Sequence, residues 1–335
     1  MEIRGNVILA PYTTFKIGGP ARYFCEVGSV DDLKSALKFS KTNNLRFFVL
    51  GGGSNILVSD QGFDGLVIKM GIKGLEFKDE GDCVILSAGA GENWDYVVEQ
   101  AVERNLGGIE NLSLIPGTAG AAVYQNIGAY GVGLKDVLES AEVLNTQSRE
   151  IKTFSNEDCE FRYRDSVFKH KEGKNLVILK TCLKLSKNQK PKISYPDLAK
   201  KFEGKKPTVL EVRNAVIRIR RGKFSCSDKV GNAGSFFKNP VVSEIQFKNL
   251  IVNGPDLKGF DLGGGLVKLY AAQLIEKCGW KGKTYGNVGV SEKHSLVLVN
   301  YGKGTAKEVL DLAKEIKQEV KDQFSVELEP EVEVF

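Results

Sequence analysis

Three glycine-rich segments with very few charged residues constrain this chain more than any other feature of its sequence. They span residues 51–55, 115–131 and 231–240, and the second contains no charged side chain at all. Glycine supplies 37 of the 335 residues, well above the usual share of ~7%. Where a residue has no Cβ, the backbone amides can approach a phosphate or a flat ring system closely. We therefore expect a fold built around a nucleotide-like ligand that the main chain binds.

The first glycine segment excludes two common nucleotide-binding motifs. It follows a predicted buried strand at 46–50 and precedes another strand at 56–58, whereas a Rossmann motif needs a helix directly after its glycines. A Walker loop is excluded as well, because these glycines are not followed by Lys and then Ser or Thr. Taken alone, each glycine segment also has a plain structural interpretation: a tight turn between strands, a buried connector, or a turn before a strand.

Composition places the chain among ordinary globular proteins. Its hydrophobic fraction is 42% and its charged fraction 27%. Its net charge of +5 suits an enzyme of phosphorylated ligands as well as a nucleic-acid binder. No apolar run approaches the ~18–20 residues of a membrane span, and residues 1–14 lack the apolar core of a signal peptide. We therefore expect a cytoplasmic protein that binds no membrane.

Cysteine and histidine usage argues against a metal site. The chain has six cysteines and two histidines. The cysteines are at least 23 residues apart and form no C-x-x-C pair, so they lack the spacing of zinc ligands. We expect scattered reduced thiols, as is usual in the cytosol, and no metal. The cysteines are Cys25, Cys83, Cys159, Cys182, Cys226 and Cys278.

Hydrophobic periodicity and helix-capping residues predict an α+β architecture. Capping residues precede four helical patterns: Ser29, Thr208, Ser243 and Thr305. A further helix is predicted at 94–102. Strand patterns cover 46–50, 56–58, 65–68, 83–86, much of 139–185 with a hairpin near 146–148, and a closing segment at 326–335. Lysine and proline crowd together at 187–207, where a linker is expected. We expect two mixed α/β pieces at 1–70 and 71–205, followed by a third domain at 206–335.

Several shorter motifs accompany the glycine segments in a fixed order. They include Tyr163-Arg164-Asp165-Ser166, Gly234-Ser235-Phe236-Phe237-Lys238 and Leu328-Glu329-Pro330-Glu331. From about Thr14 to the last residues, the ordered set resembles the UDP-N-acetylenolpyruvoylglucosamine reductase family. Each loop alone is weakly diagnostic, whereas the ordered set is very specific. The resemblance implies the FAD-binding fold of the vanillyl-alcohol-oxidase type, in which two α/β subdomains hold FAD, with an additional C-terminal α+β substrate domain.

The resemblance also implies an activity and its partners. NADPH would reduce non-covalently bound FAD and leave. The enolpyruvyl ether of UDP-N-acetylglucosamine would then be reduced to UDP-N-acetylmuramate, a precursor of peptidoglycan. An enzyme of this kind binds neither nucleic acid nor membrane, and we expect a cytoplasmic monomer.

Three residues match the catalytic positions of that family: Arg164, Ser235 and Glu331. Hydride arrival gives the substrate's carboxylate an enolate-like charge, which a fixed guanidinium such as Arg164 stabilises with paired donors. Ser235 matches the residue that protonates carbon, and a weak acid such as serine needs a pocket that positions it. Glu331 matches the catalytic glutamate and is expected to share a proton with the intermediate, because two carboxylates repel each other. Surface salt bridges or turns are the alternative roles of all three.

The resemblance assigns further residues to the cofactor and the substrate. Those implied for FAD are Gly51, Gly52, Gly53, Ser54, Asn55, Ile115, Pro116, Gly117, Gly120, Asn126, Gly128 and Arg220. Those implied for the substrate are Tyr130, Tyr195, Lys223, Asn239 and Lys268. Tyr195 resembles the tyrosine that covers the substrate in one of the family's two subclasses, which assigns the chain to that subclass. His294 stands where some members carry glutamine, and its role is left open.

Two other functions fit parts of the sequence. One is a flavin oxidase of the same fold, although many such relatives tether FAD through His or Cys near the first phosphate loop, and residues 51–55 contain neither. The other is a non-catalytic binder of nucleotide sugars or nucleic acid, for which the basic run at 218–224 is the candidate surface. Colour separates these functions, since a flavoprotein is yellow and a binder is colourless.

Overall fold

The computed structural model describes residues 1–224, 230–254 and 256–335 of the chain. Contacts divide the chain into two units. Unit 1 consists of Met1–Val7, Ala21–Gly52 and Asp64–Gly222, and unit 2 of Ile8–Pro20, Gly53–Phe63 and Lys223–Phe335. The division predicted at 1–70, 71–205 and 206–335 stays a prediction. Cys226 lies outside the described residues.

Strands and helices are mixed along the chain, as an α+β fold requires. The strands are β1 Ile3–Ile8, β2 Pro20–Val27, β3 Phe47–Leu50, β4 Ile56–Leu57, β5 Phe63–Met70, β6 Leu75–Glu80, β7 Cys83–Gly89, β8 Gly128–Ala129, β9 Val132–Gly133, β10 Leu138–Asn145, β11 Ile151–Ser155, β12 Leu176–Ser186, β13 Val241–Ser243, β14 Gly259–Gly263, β15 Leu266–Leu269, β16 Thr284–Tyr285, β17 Val288–Val290, β18 Leu298–Asn300 and β19 Glu333–Val334. The helices are α1 Val30–Thr42, α2 Trp94–Glu103, α3 Ala119–Gln125, α4 Pro196–Lys201, α5 Val209–Phe224, α6 Glu244–Asn253, α7 Ala271–Lys277 and α8 Ala306–Phe324.

Unit 1 is built on two larger sheets and the helices that pack on them. One sheet has the order β1-β2-β5-β3, with β3 and β5 parallel. The other is antiparallel, in the order β11-β10-β12-β7-β6. Leu33 of α1, Leu86 of β7 and Trp94 of α2 are buried in one shared core. The first glycine segment therefore begins at the end of a strand, β3, that is fixed in a well-packed scaffold.

Unit 2 contains smaller sheets around a long helix. The sheets are β13-β15-β14, β16-β17-β18 and the parallel pair β19-β4. Helix α8 buries Leu312 and Ile316 in the core of this unit. Phe236 and Phe237, from the third glycine segment, lie in the same core with ring centroids 5.1 Å apart. The segment that carries Ser235 is therefore anchored by two buried aromatic rings.

The four helix starts predicted from capping residues are confirmed. The hydroxyls of Ser29 and Ser243 each accept the backbone N–H three residues later, both at 3.1 Å. Thr208 and Thr305 each exchange such a bond with a glutamate three residues on, which forms a capping box. The hairpin near 146–148 is confirmed as the turn between β10 and β11.

The closing strand predicted over 326–335 is wrong in its extent. Only β19 is a strand there, and it pairs with β4. Pro330 has no N–H to donate to a continuous ladder, and the chain around it forms only an isolated bridge with Phe237. Alternation of apolar residues alone could not show this interruption.

The linker predicted at 187–207 is partly packed. It contains α4, whose Leu198 is buried against Val212 and Val216 of α5. Helix α5 belongs to unit 1 as far as Gly222. The many lysines and prolines led to the prediction of a linker, although a few apolar residues, such as Leu198, pack this segment against α5.

The described residues include neither a helix long and apolar enough to cross a membrane nor a group of three His, Cys, Asp or Glu side chains that could hold a metal ion. The cysteines among them are free thiols. Burial raises the pKa of the Cys159 thiol to about 12 and that of Cys25 to about 11. These two thiols therefore stay protonated at neutral pH.

Candidate functional site

The first glycine segment lies against the second inside unit 1. A Cβ atom on Gly52 would lie 2.6 Å from the Gly117 Cα, and one on Gly51 would lie 2.9 Å from the Thr118 Oγ1. The clash at Gly52 is with backbone, which cannot move aside as a side chain can. The two loops therefore touch main chain to main chain, and a ligand bound there would meet amide and carbonyl groups.

Lys69, on β5, holds the first glycine segment in place. Its Nζ donates a hydrogen bond to the carbonyl oxygen of Gly51. Burial lowers the pKa of Lys69, and the nearby Glu26 opposes that shift. The sequence analysis missed Lys69, whose only signal was a lysine near the end of an apolar strand.

The second glycine segment starts with a left-handed turn and a short helix. Leu114 holds φ at +57°, a conformation that costs a non-glycine residue ~1–2 kcal/mol. The N–H groups of Ala119 and Gly120 both donate to backbone carbonyls at 2.9 Å. These first amides of α3 are therefore engaged within the protein.

A buried ion pair supports this turn. Arg213 of α5 is 6% exposed and donates to both carboxylate oxygens of Asp95, at 2.7 and 3.2 Å. Asp95 also accepts the Leu114 N–H at 2.6 Å, and Arg213 donates to the Ser113 hydroxyl at 3.0 Å. The pair thus joins α2, α5 and the left-handed turn through charge-assisted bonds. The sequence analysis missed it, because its partners are 118 positions apart.

Asn126 offers a buried hydrogen-bond acceptor in the second glycine segment. It ends α3 with φ at +45°, and its Nδ2 donates to the Arg162 carbonyl oxygen at 2.7 Å. Its Oδ1 is buried and has no hydrogen-bond partner among the described residues. Leaving a buried acceptor without a hydrogen bond costs ~1–3 kcal/mol. This oxygen is therefore suited to accept a hydrogen bond from a ligand. The flavin ring of FAD carries an N–H donor, and the residues present therefore fit that cofactor.

Arg164 is held at both its backbone and its side chain. Its φ is +56°, and its Nη2 donates to the Gly128 carbonyl oxygen at 3.0 Å. Its own carbonyl oxygen accepts from the Lys169 Nζ at 3.2 Å, and Lys169 also binds the Gln125 side chain of α3. A half-buried guanidinium fixed in this way is suited to stabilising a developing anion.

Tyr130, Tyr195 and Arg220 form one cluster in unit 1. The rings of Tyr130 and Tyr195 meet edge to face, with centroids 5.2 Å apart. Arg220 hydrogen-bonds the Tyr130 side chain, and its Nε donates to the Leu114 carbonyl oxygen at 3.2 Å. Burial lowers the pKa of Arg220, against the opposing effect of Tyr130. The structure therefore brings two predicted substrate residues to one predicted cofactor residue.

Ser235 and Glu331 lie on paired extended segments of unit 2. Ser235 forms an antiparallel bridge with Val297. The carbonyl oxygen of the next residue, Phe236, accepts the Glu331 N–H at 2.8 Å. Asn55 donates from Nδ2 to the Glu331 carbonyl oxygen at 3.0 Å. Two predicted catalytic residues and one predicted cofactor residue thus share a single hydrogen-bonded region.

Two predicted substrate residues of unit 2 also have local structural contacts. Asn239 accepts the Ala271 N–H on Oδ1 at 3.0 Å and thereby caps α7. Lys268 lies over the Phe260 ring, 5.3 Å from its centroid. These contacts orient both side chains.

His294 lies in a positively charged part of unit 2. Burial lowers the pKa of His294, and the charges of Lys223 and Lys281 lower it further, while Glu276 opposes the shift. The His294 Nδ1 accepts the Leu296 N–H at 3.3 Å. The imidazole is therefore neutral at neutral pH.

Every predicted site residue lies within the described part of the chain, and the two units share them. Unit 1 holds Gly51, Gly52, Ile115, Pro116, Gly117, Gly120, Asn126, Gly128, Tyr130, Arg164, Tyr195 and Arg220. Unit 2 holds Gly53, Ser54, Asn55, Lys223, Ser235, Asn239, Lys268 and Glu331. The roles of these residues stay predictions.

Two family models match separate parts of the chain. Residues 226–335 match the family model described as UDP-N-acetylenolpyruvoylglucosamine reductase, C-terminal domain. Residues 21–153 match the model described as FAD binding domain.

Individual relatives match over the full length. UDP-N-acetylenolpyruvoylglucosamine reductase of Flavobacterium johnsoniae is 41% identical, covering 100% of both chains. That of Pseudomonas aeruginosa is 41% identical, covering 100% of this chain and 99% of its own. The crystal structure of the Thermus caldophilus reductase superposes with a TM-score of 0.70 at 28% identity, covering 100% of this chain and 98% of that one. The predicted α+β fold with an FAD-binding domain is confirmed by these matches.

Proposed function

Because the chain belongs to the UDP-N-acetylenolpyruvoylglucosamine reductase family, it is an FAD-dependent enzyme that reduces the enolpyruvyl ether of UDP-N-acetylglucosamine, and we propose that Arg164, Ser235 and Glu331 act on that substrate. When bound, FAD would supply the hydride chemistry by which NADPH reduces the double bond of the enolpyruvyl group. The product, UDP-N-acetylmuramate, is a precursor of peptidoglycan.

The cofactor would be bound largely by main chain. The contact between Gly52 and Gly117 supports a pyrophosphate site formed by backbone groups. The buried Oδ1 of Asn126, which has no hydrogen-bond partner among the described residues, supports a second contact, to an N–H of the flavin ring. Arg220 adds a positive charge that its bond to the Leu114 carbonyl oxygen holds in place. We propose that these groups bind FAD without a covalent bond.

Arg164 would stabilise the charge that forms on the substrate's carboxylate. Its guanidinium has the planar, paired donors that a carboxylate accepts. The bond to Gly128 orients the guanidinium, and the Lys169 bond holds the backbone that carries it. Preorganisation of this kind is usually the largest single contribution to catalysis of such a step.

Ser235 would donate a proton to the substrate carbon, and Glu331 would share a proton with the carboxylate. The observation that carries these two roles is the hydrogen bond from the Glu331 N–H to the Phe236 carbonyl oxygen. This bond joins the segment that carries Glu331 to the residue that follows Ser235. Phe236 and Phe237 keep the segment that carries Ser235 fixed in the core, which a weakly acidic serine needs in order to protonate carbon.

We also propose that the enzyme is a cytoplasmic monomer that binds neither nucleic acid nor membrane. The basic run at 218–224 was the candidate nucleic-acid surface, yet its Arg220 is half-buried and bonded to Leu114 and Tyr130. Size-exclusion chromatography with light scattering tests the monomer, and gel-shift assays with DNA and RNA test the absence of nucleic-acid binding.

The function is tested by adding the two substrates in sequence without oxygen. The purified protein should be yellow. NADPH should bleach the flavin absorbance, and the enolpyruvyl sugar nucleotide should restore it with formation of UDP-N-acetylmuramate. Bleaching that only oxygen reverses would contradict the assigned reduction and indicate a flavin oxidase instead. Parallel runs with NADH determine which nicotinamide cofactor is preferred.

A further inference from the structure

Asn111 is a buried side chain that joins two segments carrying predicted substrate residues. It is 0% exposed and lies in the short helical turn Glu110–Leu112. Its Nδ2 donates one hydrogen bond to the Tyr130 carbonyl oxygen and another to the Lys192 carbonyl oxygen, each at 2.8 Å. One side-chain amide therefore fixes the main chain at two positions that are distant in sequence.

The chemistry of its partners determines how the Asn111 amide must be oriented. Both partners are backbone carbonyls, which only accept hydrogen bonds, and only the NH₂ group of an asparagine can donate two. A flipped amide would place Oδ1 against both carbonyl oxygens. A carboxylate at this position would repel both for the same reason. The two bonds therefore require an amide.

The two bonds act on the pair of tyrosines. Tyr130 holds φ at +49°, and its own carbonyl is one of the acceptors. Lys192 precedes Tyr195 by three residues, and the rings of the two tyrosines are in contact. On the other side of Tyr195, α4 packs with Tyr130 through Leu198. Asn111 thus fixes the segment 192–198 at Lys192, while Leu198 at its other end is already packed.

We infer that Asn111 is a positioning residue for the sugar-nucleotide substrate, acting through Tyr130 and Tyr195. The inference rests on the proposed substrate roles of these two tyrosines. Loss of the Asn111 donors should loosen the tyrosine pair and weaken substrate binding. The proposed flavin contacts at Gly52, Gly117 and Asn126 do not involve the Asn111 side chain, so flavin binding should be preserved.

The test compares two asparagines with the same hydrogen-bond geometry. Asn111→Asp keeps the side-chain size and removes both donors, and Asn111→Ala serves if a buried carboxylate prevents folding. Asn156 is the matched control, because its Nδ2 also donates to two carbonyl oxygens, both at 2.8 Å. The Asn111 variants should raise the Kd of the enolpyruvyl sugar nucleotide about tenfold, equivalent to ~1.4 kcal/mol. Their flavin content and rate of anaerobic reduction by NADPH should stay at wild-type values, and Asn156→Ala should change none of the three.

A double-mutant cycle separates positioning from a general loss of stability. In a Tyr195→Ala background, the Asn111→Ala effect on Kd should fall from about tenfold to about threefold or less. An undiminished effect in that background overturns the inference, as does an equal effect from Asn156→Ala or loss of flavin from the Asn111 variants. Wild-type protein that binds flavin but cannot reduce the sugar nucleotide would instead refute the proposed function, so the two failures are distinguishable.

Discussion

Several residues of the candidate site hold backbone conformations that side chains normally avoid. Leu114, Asn126, Tyr130 and Arg164 have φ between +45° and +57°. Such conformations cost ~1–3 kcal/mol each and persist only where surrounding contacts enforce them. For Leu114, Tyr130 and Arg164, the enforcing contacts are hydrogen bonds with charged or amide side chains elsewhere in unit 1. These contacts therefore fix the backbone of this part of the candidate site in unit 1.

Tyr195 should matter for the substrate and little for the flavin. It is 37% exposed and stands at the start of α4. Tyr195→Phe removes one hydroxyl, worth ~0.5–1.5 kcal/mol if it bonds a neutral group and more if it bonds a phosphate. We expect a Kd for the sugar nucleotide several-fold above wild type, measured by titration, with flavin content unchanged. A variant that purifies without FAD would show that Tyr195 contributes to cofactor binding, and its assignment to the substrate would be wrong.

His294 should make unit 2 less stable in acid. Its folded pKa lies below its ordinary value near 6.5, chiefly because of burial. The unfolded chain then binds the proton more tightly, so stability is full above about pH 6.5 and is lost as the pH falls through the folded pKa. Thermal melts at pH 7.5 and 5.5 should show a smaller acid loss in His294→Gln than in wild type. Equal losses would mean that His294 is not the group responsible.

At the scale of elements, the sequence predicted features that depend on neighbouring residues. It did not predict contacts between residues from different elements. The helices after Ser29, Thr208 and Thr305 were predictable because a cap and its partner lie three residues apart. The roles of Lys69 and Arg213 were not predictable, because their hydrogen-bond partners come from other elements. Packing of α4 was missed for the same reason.

The pair of Arg213 and Asp95 should support both α5 and the turn at 114–117, which we propose binds FAD. Removing one member of a buried pair costs ~3–5 kcal/mol. We expect about 2–3 kcal/mol for Arg213→Met, since the Asp95 side chain is 27% exposed. Denaturant unfolding should show this loss, and FAD should dissociate more readily. Lys248→Met, which breaks the exposed pair with Glu244 on α6, is the control and should cost little. Unchanged FAD affinity in Arg213→Met would show that the turn at 114–117 does not contribute to FAD binding.

At the scale of the whole molecule, the order of motifs predicted the family and fold, which the full-length matches confirm. The grouping of the site residues was only partly predictable. The hydrogen bond between Glu331 and Phe236, the neighbour of Ser235, joins distant segments, which periodicity does not encode. The first glycine segment even divides between the units, with Gly52 in unit 1 and Gly53 in unit 2. Its residues therefore serve different parts of the fold.

The most direct test of the account measures both half-reactions of Ser235→Ala by anaerobic stopped-flow absorbance. Reduction of the flavin by NADPH needs no proton on carbon and should proceed near the wild-type rate. Reoxidation by the enolpyruvyl sugar nucleotide should slow by ~10²–10⁴-fold, the usual effect of losing a general acid. Ser235→Cys should recover part of that loss, because a thiol donates a proton from nearly the same point. Equal slowing of both half-reactions, or of neither, would contradict the assignment of Ser235 as the proton donor.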